Sequence, residues 1–186
     1  RLLVGSWREN WNDPDLPFYY VQLSSIDRPS WPWFRDSQRR LMDAIPHTGM
    51  AVSSDYGDSL DVHPKNKRPI GERLAHWALN RTYDKKQVVP SGPLFRSVDF
   101  REDAAYVSFD YADGLHTADG RPIREFEIAE TEGVYYPAKA EVVGNQVKVY
   151  SDRVKHPCHV RYAWRPFTRA NLVNSQSLPA STFRSR

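Results

Sequence analysis

The hydrophobic positions of the chain change their period near its middle. In the first half, Phe18-Tyr19-Tyr20-Val21-Gln22-Leu23 is a short apolar run bounded by Pro17 and Ser24-Ser25, the pattern of a buried strand. Phe34, Leu41, Met42 and Ile45 then recur at helical spacing. Ser30 ahead of Trp31-Pro32 predicts a capped helix start, because proline is favoured in a first turn, and Pro46-His47 with Gly49 predicts its end. Met50-Ala51-Val52-Ser53 reads as a second short buried strand. After a polar loop from Ser54 to Lys67, the positions Ile70, Leu74, Trp77 and Ala78 repeat on one helical face behind Pro69. Arg1 to Trp11, ahead of the break at Asn12-Asp13-Pro14-Asp15, reads as the end of a further helix. Strand, helix, strand, loop, helix is the order of an α/β layer structure.

Beyond Pro90-Ser91-Gly92-Pro93 the helical period disappears and short strands succeed one another between turn signals. Ala105 to Phe109 is one and Glu125 to Ala129 another. Ala140 to Val143 and Gln146 to Val149 form the clearest pair, joined by the two-residue turn Gly144-Asn145. His159 to Trp164 is a further strand, and Asn171 to Arg186 is polar and rich in turn formers. The change of period divides the chain into an α/β part, residues 1–90, and a β-rich part, residues 91–186, for which a sandwich is the expected form.

Composition narrows the function classes. The 186 residues are enough for one ordinary domain or two small ones, and 40% hydrophobic with 26% charged positions is a globular balance. The net charge of +3 is spread among both signs, with no basic arm or stripe, so nucleic acid is not a favoured partner. Lys65-Asn66-Lys67-Arg68 and Lys85-Lys86 read as solvated surface. No apolar stretch approaches the length needed to span a membrane. Cys158 is the sole cysteine, which excludes an intrachain disulfide. Six Trp and ten Tyr suit either a packed core or a sugar-binding groove.

The strongest chemical signal lies in the loop Ser53 to Pro64, between a predicted strand and a predicted helix. Loops at the carboxyl ends of parallel strands form the ligand crevice of open α/β sheets. A histidine there is a candidate general base for a hydroxyl nucleophile, with a carboxylate to hold its tautomer and stabilise the imidazolium. His63 is that histidine, and Asp61, two residues earlier, is the first choice of carboxylate ahead of Asp58 and Asp55. The competing explanation is a helix-capping loop that carries a surface histidine. Gly57-Asp58-Ser59-Leu60 spells a serine-esterase motif, but Ser59 is only four residues from His63, and a nucleophile and its base ordinarily come from different loops. The match is therefore read as coincidence. His156-Pro157-Cys158-His159 lacks the converging spacing of a metal site and reads as structural, as do His47 and His76. Asn80-Arg81-Thr82 is a glycosylation sequon. Arg8 between Trp7 and Trp11 suits a sugar or carboxylate site or plain packing.

Three segments together carry a family resemblance. Trp7-Arg8 with Trp11, then Leu16 to Leu23, resembles the central part of the sialate O-acetylesterases, which are esterases of the SGNH-hydrolase type. Asp61-Val62-His63-Pro64-Lys65-Asn66-Lys67 with Gly71-Glu72-Arg73-Leu74-Ala75 resembles their active-site histidine segment. Val160 to Trp164, Asn171-Leu172, Leu178-Pro179-Ala180 and Phe183-Arg184 resemble their C-terminal signature. The resemblance implies an α/β fold: the C-terminal part of a three-layer α/β/α SGNH domain with a β-sandwich-like module after it. It implies hydrolysis of O-acetyl esters on sialic acid or a sialoglycan through an acyl-enzyme, without metal or organic cofactor. It also implies a periplasmic, secreted or lysosomal setting.

His63 matches the family's catalytic histidine. The acid that such enzymes place three residues earlier would fall on Leu60, which leaves Asp61 or a backbone carbonyl to orient the imidazole. The family's serine and oxyanion hole lie upstream of the Trp-Arg segment, so an N-terminal chain of the same protein is the expected partner. The alternatives are a non-catalytic carbohydrate-binding or interaction module, and an esterase acting on acetylated xylan.

Overall fold

The computed structural model describes residues 1–185. Its first helix, α1 (Leu2–Trp11), buries only Val4 and ends on Asn12 in the left-handed conformation. Arg8 ties this helix to two later turns, donating from Nε to the carbonyl of Leu16 at 3.2 Å and from Nη2 to that of Pro46 at 2.7 Å. Two strands come next, β1 (Phe18–Val21) and β2 (Thr48–Ala51), paired in parallel from Phe18↔Thr48 to Val21↔Ala51. Parallel neighbours need a long crossover, and α2 (Trp31–Ala44) provides it. A short 3-10 turn, Ser54–Tyr56, leads to α3 (Arg68–Arg81), which turns Ile70, Arg73, Trp77 and Asn80 inward. Trp77 lies across Gly49 and donates its indole N–H to the carbonyl of Met50 at 2.9 Å. A Cβ on Gly49 would stand 2.5 Å from that ring, so the glycine is what lets α3 approach the strands.

The mixed α/β character expected from the sequence is present, with two differences in the first half. Ser30 stands at the N-cap of α2 but makes no side-chain cap bond. The apolar face assigned to α2 is also partly outside: Phe34 and Leu41 are exposed, while Arg35, Asp36 and Arg39 are buried. The reason is polar. Arg35 donates from Nε to Thr182 Oγ1 at 2.9 Å, from Nη1 to the Pro166 carbonyl at 2.9 Å, and from Nη2 to the carbonyls of Ala163 and Arg165. Asp36 takes both Arg39 and Arg40. A buried charge satisfied on every side can replace an apolar contact on a helix face.

The second half holds two four-stranded antiparallel sheets. One has the order β3-β4-β9-β8, from β3 (Leu94–Arg101), β4 (Ala104–Asp110), β8 (Lys139–Val143) and β9 (Gln146–Tyr150). The other has the order β12-β10-β6-β7, from β6 (Phe126–Ala129), β7 (Tyr136–Pro137), β10 (His159–Tyr162) and β12 (Phe183–Arg184). A small pair joins β5 (His116–Thr117) to β11 (Leu172–Val173). Val107, Val147 and Val149 of the first sheet share one core with Ile128, Val160 and Phe183 of the second. Gly144, in the left-handed conformation, turns β8 into β9 at the pair Val143↔Gln146.

Strand β3 has no counterpart in the sequence reading. Its register shifts between Phe95 and Ser97, and that bulge breaks the alternation that would have announced it. The stretch 171–185 differs too. It is polar in composition, yet Leu172, Ser181, Thr182 and Phe183 are all buried. It runs back past α2 and into the core, where Phe183 stacks on Phe95 at 4.5 Å.

Candidate active site

His63 and Asp61 lie beyond the carboxyl end of β2, at the end of the parallel pair where an α/β ligand crevice is expected. Their loop is braced from three sides. Ser24, just after β1, donates its hydroxyl to the carbonyl of Val62 at 2.9 Å. The backbone N–H of Asp27 donates to the carbonyl of Ser59 at 3.1 Å. Arg73 grips both carboxylate oxygens of Asp55, at 2.7 and 2.6 Å, and donates to the carbonyl of Val52 as well. Gly57 sits against the backbone of Ser25, where a Cβ would stand 2.4 Å from its N and O atoms.

Of the three candidate carboxylates, one reaches the histidine. Asp61 Oδ1 accepts the backbone N–H of His63 at 2.9 Å and lies 3.1 Å from Nδ1 of the same residue. Asp58 caps its own turn by accepting the N–H of Leu60, and Asp55 is committed to Arg73. The His63 amide, and after it the imidazole, holds the Asp61 carboxyl below the usual aspartate range. With Nδ1 turned to Asp61, Nε2 is the ring nitrogen left for a substrate or nucleophile. The His63 side chain is 79% exposed. Leu60, at the position the family resemblance gives to the acid, is exposed and apolar.

No serine hydroxyl is hydrogen-bonded to His63 among the described residues. The Ser24, Ser25 and Ser53 hydroxyls are spent on the carbonyls of Val62, Ser54 and Gln22. Beside the site an apolar depression of about 440 Å³ opens between Val21, Leu23, Val62, Ile70 and Leu74. It flanks β1, which among the described residues pairs only with β2. The Gln38 amide covers the last part of the free edge, accepting from the Leu23 N–H at 2.8 Å and donating to the Val21 carbonyl at 3.3 Å.

The remaining candidates have structural surroundings. Arg8 is spent on backbone carbonyls, so the Trp7–Trp11 pair, 5.6 Å apart, flanks no free guanidinium. The Asn80 side chain is buried and donates to the Val88 carbonyl, which leaves the sequon without an accessible acceptor in the folded chain. His47 lies 3.3 Å from Asp15, and His76 faces the carbonyl of Val89. Among the described residues no three His, Cys, Asp or Glu side chains converge as metal ligands, the His156–His159 segment included. The braces Ser24, Asp27 and Arg73 were not singled out from the sequence. Only Arg73 left a signal there, as a charge at an inward position between Ile70 and Trp77.

The fold has a close likeness among the solved structures. A carbohydrate acetylesterase from Xanthomonas citri superposes with a TM-score of 0.90 at 36% sequence identity, over 97% of this chain and 43% of that one. The chain resembles the sialate O-acetylesterases. A sialate O-acetylesterase of Rattus norvegicus is 22% identical over an alignment of 214 residues, covering 99% of this chain. No family model matches. This acetylesterase-like chain spans about two fifths of each relative, 40% of the rat protein and 43% of the bacterial one. No helix among its described residues is long and apolar enough to cross a membrane.

Proposed function

We propose that this chain is the histidine-bearing part of a carbohydrate esterase that removes O-acetyl groups from sialic acids. In this reading residues 1–90 are the C-terminal part of a three-layer SGNH domain, and residues 91–186 are a sandwich-like accessory module. The observation that carries it is the Asp61–His63 pairing beyond parallel strands, with Nε2 free.

A serine on an N-terminal polypeptide attacks the acetyl carbonyl and passes its proton to Nε2 of His63. Asp61 stabilises the imidazolium through Nδ1. The tetrahedral intermediate collapses by breaking the bond to the sugar oxygen, which leaves with the proton held on Nε2. Water then attacks the acetyl-serine, giving its proton to His63; the bond from the acetyl carbon to the serine oxygen breaks, His63 returns the proton to that oxygen, and acetate departs.

Two features favour a further segment of protein docked beside the site. The free edge of β1 offers unpaired backbone groups to a further strand. The apolar depression beside it offers a face that would bury well, at about 25 cal/mol per Å² removed from water. A docked polypeptide would also shield His63, and exclusion of water strengthens every electrostatic contact in such a site.

The test is acetate release by the chain together with its serine-bearing N-terminal polypeptide. The expected result is release from O-acetylated sialic acid in preference to acetylated xylan. Preference for xylan would reassign the substrate, and no release from either would overturn the esterase reading.

A further inference from the structure

At the opposite end of the parallel strands from His63, a long cleft runs along the seam between α2 and the first antiparallel sheet. One hollow, of about 490 Å³, lies among Tyr19, Trp77, Arg81 and Tyr111. A second, of about 650 Å³, lies among Arg40, Val98, Arg96 and Arg184. The two share Arg39, Asp43, Phe95 and Asp110, so they are parts of one cleft. Small-ligand sites span roughly 300–1,000 Å³, and two joined hollows of this size have room for more than one sugar unit.

The charges along the cleft are unbalanced. Arg39, Arg40, Arg81, Lys86, Arg96 and Arg184 stand against only Asp43 and Asp110. Four of the cations are already paired: Arg39 and Arg40 with Asp36, Lys86 with Asp84, and Arg184 with Glu132. Arg81 and Arg96, one in each hollow, have no carboxylate partner among the described residues. Arg81 is oriented by its 2.7 Å bond to the Tyr111 hydroxyl. Tyr111 in turn packs edge-on to Trp77 at 6.0 Å, and the Arg39 guanidinium lies over the Phe95 ring.

We propose that this cleft is a second, non-catalytic binding site for an acidic oligosaccharide, with Arg81 and Arg96 each taking a sugar carboxylate. A guanidinium meets a carboxylate with two parallel N–H bonds, a geometry that neutral sugars cannot return. Asp43 and Asp110 are acceptors for sugar hydroxyls, and Tyr19 and Tyr111 supply rigid aromatic walls. The choice of a sugar as ligand rests on the carbohydrate-esterase reading; the cleft itself does not involve His63. Strands β1 and β2 run from this cleft, at Tyr19 and Thr48, towards the His63 loop.

Calorimetric titration of the full protein containing this chain tests the site, with an α2,8-linked sialic acid tetramer as the acidic probe and maltotetraose as the neutral one. The acidic tetramer should bind at least tenfold more tightly. The double variant Arg81→Gln/Arg96→Gln should lose at least tenfold of that affinity while His63→Ala keeps it. Both arginines are exposed, so the double variant should keep its melting temperature and its turnover of a small soluble acetyl ester; Arg96→Lys, which keeps the charge and loses the fork, should bind at an intermediate level. Equal binding of the two probes, no binding, or loss of binding in His63→Ala alone would overturn the site. If inorganic sulfate displaces the tetramer at equal concentration, the cleft is a general anion site and the sugar assignment is overturned. A protein that binds the tetramer here and hydrolyses no ester keeps the cleft and loses the esterase reading; the converse result does the opposite.

Discussion

Arg35 donates its Nε–H to the hydroxyl of Thr182, 147 positions further along the chain, and both side chains are fully buried. The contact joins α2 to the last stretch of the polypeptide. Burial draws the guanidinium down to about 10, with Glu125 acting in the opposite sense, so it stays charged at neutral pH. The halves that differ in hydrophobic period are thus held together by a satisfied buried cation as well as by apolar packing.

Replacing Arg35 by Met tests that joint. The carbonyls of Ala163, Arg165 and Pro166 would lose their donor, and a buried carbonyl left unsatisfied costs about 1–3 kcal/mol. Urea unfolding should show a loss of that size. A loss below about 1 kcal/mol would mean that the seam is held by its apolar contacts alone.

Gly57→Ala probes the placement of the His63 loop. The new methyl group would meet the backbone of Ser25, which neither rotates nor yields as a side chain does. Overpacking of this kind costs about 1–3 kcal/mol. In the completed esterase, kcat should fall at least tenfold as the loop moves. Unchanged kcat at unchanged stability would show that the loop position is not critical.

The acidic residues of the loop separate by role. Asp61→Asn should lower kcat by two to four orders of magnitude, because the amide cannot favour the imidazolium. Asp55→Asn should leave kcat within a few fold but cost about 1 kcal/mol of stability, since it weakens the paired bonds from Arg73. Reversed effects would move the catalytic role to Asp55.

The Asp61 carboxyl should titrate below ordinary aspartates when monitored by carbon-detected NMR. Because its folded value is depressed, the stabilisation it gives is present above the ordinary aspartate value and fades as pH falls through the folded one. The larger cause is the His63 backbone N–H, which survives in His63→Ala. The shift should therefore shrink in that variant without vanishing; a return to the ordinary value would assign it to the imidazole alone.

Much of the fold was legible where local chemistry decides the structure. Pro69 with the stripe through Ile70 and Trp77 gave α3, and Gly144-Asn145 gave the β8–β9 turn, because both depend on neighbouring residues. Asp61 and His63 could be named because the loop between strand and helix is itself a local pattern. Asp61 was the first choice for the contact because it is nearest to His63 in the chain, and the commitments of Asp58 to Leu60 and of Asp55 to Arg73 are what only the structure shows. Strand β3 was hidden by its bulge, the inward face of α2 by its charge, and residues 171–185 by their polar composition. In each case the deciding partner lies far away in sequence. The arginine cleft draws on α2, α3 and strands from both halves of the chain, and leaves no motif at all.

The most direct measurement is kcat for acetate release by the completed esterase with His63→Ala beside the unaltered protein, each checked by its unfolding midpoint. His63 is a largely exposed side chain, so its truncation should change stability by no more than about 0.5 kcal/mol. With His63 as the general base, kcat should fall by at least about a thousandfold at that unchanged midpoint. Retention of kcat in the folded variant would contradict that role, and His63 would then be a surface residue of a helix-capping loop.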